Sequence, residues 1–198
     1  YYRTGDFENS IYHFEEFIDE ENVKSSLTYF MLGHAYFKSG NYENAAFNFE
    51  RISNSADSIM QYSTYYLGSS YLQLQHYNYA LQAFKKSASF DYNKELQEDS
   101  YYNYSKLSFQ LELPFDNTLQ ILTTYLENFK NPVKSKYIEV LIAQTLQSTS
   151  KYFEAYMVLQ DIQYPSIDHK KSLQQLSFFL GVKEFNQQNF SQAISYFT

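Results

Sequence analysis

The feature that most constrains this chain is that it repeats itself. Tyr29-Phe30-Met31-Leu32-Gly33-His34-Ala35-Tyr36 returns 35 residues later as Thr64-Tyr65-Tyr66-Leu67-Gly68-Ser69-Ser70-Tyr71. An aromatic residue then recurs as Phe7, Tyr42, Tyr77, Phe115, Tyr152 and Phe190, in steps of 35, 35, 38, 37 and 38. Three positions on stands a small residue: Ser10, Ala45, Ala80, Thr118, Ala155 and Ala193. Four further on stands a large apolar one: Phe14, Phe49, Phe84, Leu122, Leu159 and Phe197. A period of this length belongs to stacked supersecondary units, each too small to bury its own apolar face.

The spacing within one unit predicts a helical hairpin, with helix A, a turn and helix B. Gly33–Ala45, Gly68–Ala80 and Gly181–Ala193 are each 12 positions apart, so the hairpin keeps its internal length and extra residues fall between units. Gly33 and Ala45 are placed where A and B cross, with Tyr36 and Phe49 filling the volume beside them. Ser39-Gly40-Asn41 and Thr4-Gly5-Asp6 read as A-to-B turns, with glycine free to take positive φ. Pro114 falls in such a turn. Pro132 and Pro165 fall in B-to-A connections, Pro132 at the first turn of the next helix. The Ser53–Ser58 stretch is a connector with an N-cap at Asp57 or Ser58. B helices are expected near 6–19, 42–54, 77–89, 116–129, 152–162 and 190–198. A helices are expected near 22–38, 58–74, 96–112, 133–149 and 170–187.

These residues resemble the tetratricopeptide repeat, whose pattern is W-x2-L-G-x2-Y…A-x3-F…P. Tyr29, Leu32, Gly33, Tyr36, Ala45 and Phe49 fill one copy, with Tyr29 in the Trp place. Leu67, Gly68, Tyr71, Ala80 and Phe84 fill the next, and Leu180, Gly181, Ala193 and Phe197 mark the last. In the middle copies Ser105-Lys106 and Ile142-Ala143 replace Leu-Gly, and the first two copies lack the closing Pro. The resemblance implies an all-α fold, a right-handed superhelical solenoid of antiparallel helix-turn-helix repeats. The frame gives one array over 1–198: a half repeat at 1–20, then repeats at about 22–54, 57–90, 95–130, 132–163 and 167–198. Neither end carries a polar cap, which solenoids need. The array is therefore expected to be part of a longer one.

Composition narrows the function. A net charge of −7, from 22 acidic and 15 basic residues, opposes phosphate backbones, and no basic stripe offsets it. The absence of cysteine removes disulfides, thiolate metal sites and thiol nucleophiles. It leans toward an exported protein, as in a bacterial envelope or periplasm, but a cysteine-poor cytoplasmic protein fits it almost as well. No apolar run approaches the roughly 18 residues needed to span a bilayer. His13, His34, His76 and His169 have no metal-ligand spacing. Glu15, Glu16, Asp19, Glu20 and Glu21 read as a solvated face and a helix junction, and Glu95, Glu98 and Asp99 as another helix start. No nucleophile elbow, Walker loop or dinucleotide fingerprint is present. Neither an enzyme activity nor a cofactor is expected.

In this repeat family the A helices line a concave surface where extended peptides bind. The frame places Phe30, His34 and Phe37 on that lining, then Tyr62, Tyr65, Tyr66 and Ser69, then Asn103, Tyr104 and Leu107. Tyr137, Leu141 and Gln144 follow, and then Phe178, Val182 and Phe185. None is Lys or Arg, which argues against a clamp for a C-terminal carboxylate. The aromatic residues serve either as an exposed strip for apolar side chains or as packing between repeats. His34 is either a ligand contact or a bystander. The expectation is a protein-protein or peptide-binding scaffold. The Tyr/Phe/Asn-rich repeats resemble those of bacterial envelope assembly proteins. The alternative is the peptide-sensing part of a bacterial signalling or transcription regulator, and self-association through the end repeats is a third possibility.

Overall fold

A computed structural model of the chain describes residues 2–21, 25–53, 55–148, 151–160 and 167–198. Pro165 and the side chains of Asp19, Glu20, Glu21 and His169 lie outside the described residues. The chain divides into two units, Tyr1–Leu107 and Ser108–Thr198. The first holds a short 3₁₀ turn at Tyr2–Thr4, then α1 (Phe7–Glu21), α2 (Ser26–Lys38), α3 (Tyr42–Glu50), α4 (Asp57–Gln73) and α5 (Tyr77–Ala88). α6 (Lys94–Gln110) runs across the division. The second holds α7 (Phe115–Asn128), α8 (Pro132–Ser148), α9 (Tyr152–Gln160), α10 (Ile167–Asn186) and α11 (Phe190–Phe197). The described residues contain no strand. The fold is all-α, and within each unit successive helices pack as hairpins.

Backbone geometry shows how each hairpin closes. Gly5, Gly40, Gln75, Glu112 and Gln188 all have positive φ, from 51° to 82°. Just past this residue an amide reaches back five positions, in the closing bond of a Schellman motif. Asn41 donates to the Tyr36 carbonyl at 2.9 Å, His76 to Tyr71 at 2.8 Å, Leu113 to Ser108 at 3.2 Å and Asn189 to Glu184 at 2.9 Å. Lys151 donates to Leu146 in the same way at 3.1 Å. The two glycines were expected here. Gln75, Glu112 and Gln188 adopt the left-handed conformation because the helices on either side fix the turn.

This turn residue corrects the frame of the third hairpin. It stands two positions before helix B in four turns but three before it at Glu112, so Leu113 and Pro114 lengthen the turn by one. One extra residue therefore falls inside the hairpin. Counted back seven from the turn residue, the place of Gly33, Gly68 and Gly181 is held by Ser105, and Lys106 moves on by one. Pro114 sits in the A-to-B turn and Pro132 opens α8, as expected. The N-cap of α4 is Ala56, with no side-chain cap, instead of Asp57 or Ser58. The connector after α5 is held by a residue with no sequence signature, Gln61. Its fully buried amide donates to the carbonyls of Phe90 and Asn93 at 3.0 Å each and accepts from the Asn93 amide at 2.7 Å.

The crossing itself is a phenylalanine ring on a glycine. A Cβ built on Gly33 would stand 2.9 Å from the Phe49 ring, and one on Gly68 3.0 Å from the Phe84 ring. Gly181 meets Phe197 more closely still. Ala45 and Ala80 complete the contact with no exposure at all. In the first unit Tyr29, Ile52 and Met60 join Ala45 and Phe49 in one cluster. Neighbouring hairpins are also latched at their rims. The Tyr36 hydroxyl donates to Glu15, and 35 residues on Tyr71 donates to Glu50. Burial, reinforced by Glu15, pushes the Tyr36 phenol up to about 12, and the same causes raise Tyr71.

Two outcomes follow for urea unfolding. Gly33→Ala and Gly68→Ala should each lower stability by about 1–2 kcal/mol through overpacking, because Phe49 and Phe84 are only 2% and 1% exposed. Gly181→Ala should be neutral or stabilising by up to about 1 kcal/mol from helix propensity, because Phe197 is 52% exposed and can swing aside. For the turns, Gly40→Ala should cost about 1 kcal/mol, and Gln75→Gly should raise stability by a similar amount.

Candidate binding surface

Positions spaced three and four apart on a helix share one face, and α2 presents Phe30, His34 and Phe37 in this way. α4 packs beside α2 and brings Tyr62, Tyr65, Tyr66 and Ser69. All seven are partly exposed. The rings of Phe30, His34, Phe37, Tyr65 and Tyr66 form one network. Phe30 stacks on His34 at 6.1 Å, and Tyr66 meets His34 edge-on at 4.9 Å and Phe37 at 5.1 Å. Tyr65 adjoins Tyr66 at 5.5 Å and Phe84 at 5.9 Å. Tyr66 also stacks over Phe49, the ring seated on Gly33, at 6.0 Å. Phe30, Phe37 and Tyr66 thus pack against the core while keeping part of their surface in solvent.

The polar groups on this face are largely committed to the protein. The Tyr62 hydroxyl accepts from the Asn93 amide at 2.8 Å, and the Ser69 hydroxyl donates to the Tyr65 carbonyl at 3.0 Å. His34 Nδ1 is hydrogen-bonded to the Tyr2 hydroxyl at 2.8 Å. Burial lowers the His34 pKa, helped by the nearby Lys38 ammonium, while burial and then Tyr66 raise that of Tyr2. Both are therefore uncharged at neutral pH, and the face is neutral and aromatic here.

α6 differs from its sequence frame. Tyr104 and Leu107 are buried, and Asn103 donates to the Asp99 carbonyl at 2.9 Å. In the register of the turn residue, Tyr102 stands where Phe30 and Tyr65 stand, and Lys106 where His34 and Ser69 stand. Both are partly exposed, and the Lys106 ammonium lies 4.9 Å from the Tyr102 ring centroid. Burial lowers the Lys106 pKa. A cation therefore stands at a lining position where the sequence frame has none. The longer turn before α7 is the signal that would have revealed it.

In the second unit Tyr137 is exposed, Leu141 is buried and Gln144 is partly exposed. Gln144 lines a cleft of about 500 Å³ with Phe109, Phe115, Thr118 and Thr145. Phe178, Val182 and Phe185 are exposed on α10. Among the described residues no three His, Asp or Glu side chains are grouped to hold a metal ion, and no helix is long and apolar enough to cross a membrane.

Helical hairpins with a small-residue crossing and an aromatic A-helix face define a class. Residues 27–54 match the family model of the tetratricopeptide repeat. Solved structures similar to this chain include tetratricopeptide-repeat proteins, and the chain has their fold. MamA is 14% identical, over 85% of this chain and 91% of its own, with a TM-score of 0.62. YrrB, described as a TPR protein with an unusual peptide-binding site, is 16% identical over 92% and 88%, with a TM-score of 0.57. The C-terminal part of a TPR repeat-containing protein from Cytophaga hutchinsonii is 12% identical over 98% and 73%, with a TM-score of 0.54. No curated protein matches the chain in sequence.

The His34 assignment has a pH signature. A base whose pKa is depressed by folding stabilises the native state above its unfolded value near 6.5, and that contribution is lost as pH falls through the folded value. The His34 imidazole should titrate below 6.5 by NMR, and His34→Gln should flatten the loss of stability on acidification below that pH.

Proposed function

We propose that this protein is a peptide-binding scaffold and that the aromatic A-helix face of the first unit holds the partner. The observation that carries this reading is the ladder of half-buried rings on α2 and α4. These rings are held rigid from below by Phe49 and Phe84 and remain open above. Rigid aromatic side chains supply contact area with little loss of conformational freedom on binding. The fold is that of protein-interaction scaffolds, which supports a role in binding other proteins. YrrB's peptide-binding site lies on the same fold.

Tyr102 and Lys106 refine the partner's chemistry. A neutral aromatic stretch beside a single lysine suits a segment of apolar or aromatic residues with an acidic residue to one side. The test is selection from a displayed peptide library on the immobilised protein, followed by calorimetric titration of the selected peptide. Tyr65→Ala combined with Tyr102→Ala should weaken binding by tenfold or more, about 1.4 kcal/mol, in a protein that circular dichroism shows still folded at the assay temperature. Lys106→Gln should weaken only peptides that carry an acidic residue. Undiminished affinity in the double variant would place the site elsewhere.

The second unit supports a second reading, self-association. Its α10–α11 hairpin exposes Phe178, Phe185, Ile194 and Phe197, at 52–61% each, and exposed apolar surface of this extent marks interaction sites. Light scattering across a concentration series should then show mass rising with concentration. Phe178→Ser with Ile194→Ser should return the protein to a monomer.

A further inference from the structure

Leu32 and Tyr36 lie on the side of α2 turned away from the aromatic ladder, Tyr36 being roughly 200° around the helix axis from His34. There α1, α2 and α3 enclose a cleft of about 370 Å³, within the range of roughly 300–1,000 Å³ typical of ligand pockets. Leu32, Tyr36 and Phe47 supply its apolar lining, and Glu15, Asn44 and Arg51 its polar rim.

The next hairpin shows what such a cleft accepts. Tyr71 takes the place of Tyr36 and is tied to Glu50 as Tyr36 is tied to Glu15. Asn44 is replaced by Tyr79, 35 positions on, whose ring lies over Tyr71 at 5.2 Å and 31°. The second hairpin therefore covers its own Tyr–Glu floor with an aromatic ring. In the first hairpin the short Asn44 leaves the same floor open. Arg51 adds a charge beside the opening. Its guanidinium lies 4.1 Å from the Phe47 ring centroid and 5.4 Å from that of Tyr29, and among the described residues it makes no ion pair. A guanidinium held against a ring has N–H groups to offer a planar anion, which it can bind through two parallel hydrogen bonds.

We propose that this cleft is a second binding site, which takes an aromatic side chain with a carboxylate beside it, as at the C-terminal tyrosine or phenylalanine of a peptide. The ring settles over Tyr36 as Tyr79 does over Tyr71, and the carboxylate pairs with Arg51. Glu15 accepts from the Tyr36 hydroxyl on the α1 side of the cleft, and Arg51 stands on the α3 side. The site is independent of the aromatic A-helix face.

The probes are N-acetyltyrosine and its amide, titrated into the whole chain and followed through the side-chain NMR signals of Asn44 and Arg51. N-acetyltyrosine should shift both signals saturably. Asn44→Tyr should abolish the shift at Arg51 while the melting temperature stays level or rises, since tyrosine already occupies the corresponding place at Tyr79. Arg51→Gln should weaken N-acetyltyrosine about tenfold, near 1.4 kcal/mol, and leave the amide unchanged. Absence of saturable shifts in the wild type, or their persistence in a folded Asn44→Tyr variant, would overturn the site. Equal binding of acid and amide would overturn the role of Arg51. None of these readouts depends on the aromatic A-helix face, so the two proposals fail separately.

Discussion

The structure depends on how closely two helices of a hairpin can approach. Where the A helix carries glycine, a whole phenylalanine ring from the B helix lies on its backbone, as Phe49 does on Gly33 and Phe84 on Gly68. Where the A helix carries a Cβ, the chain has a smaller partner in the same register. Ala143 is matched by Leu159. Interiors packed at crystal-like density tolerate neither a void nor an extra methylene, so ring and side chain must change together. The degenerate middle repeats are then less a decay of the pattern than a second solution to the same volume.

The binding face inherits its rigidity from this crossing. Tyr66 stacks on Phe49 and Tyr65 abuts Phe84, so the rings at the surface rest on those that fill the glycine notches. A face built this way is ordered before a partner arrives, which lowers the entropic cost of binding. The rim latches act between hairpins instead of within one. Tyr36–Glu15 and Tyr71–Glu50 tie one hairpin to the next, and whether the ring above the latch comes from the chain itself decides if a cleft stays open.

Much of this was legible in the sequence, for identifiable reasons. A period of 35 to 38 residues fixes the number and order of helices. Glycine announces two of the turns, and Pro114 and Pro132 fall where their missing N–H is harmless. The unreadable parts turn on residues whose type carries no signal. Gln75, Glu112 and Gln188 take left-handed turns under the constraint of the helices around them. Gln61 looks like any polar helix residue, yet three buried hydrogen bonds make it the clamp of a connector. The third hairpin departs from the sequence frame because the turn before Phe115 holds one extra residue. That single residue buries Tyr104 and Leu107 and brings Tyr102 and Lys106 into the lining register.

The most direct test of the crossing is a double-mutant cycle at Gly68 and Phe84, read by equilibrium unfolding. Gly68→Ala and Phe84→Leu each disturb the fit, but together they recreate the Ala143–Leu159 pairing that the chain already uses. The account predicts a favourable coupling of about 1 kcal/mol or more, with the double variant more stable than the sum of the single losses. Strict additivity of the two substitutions would contradict it.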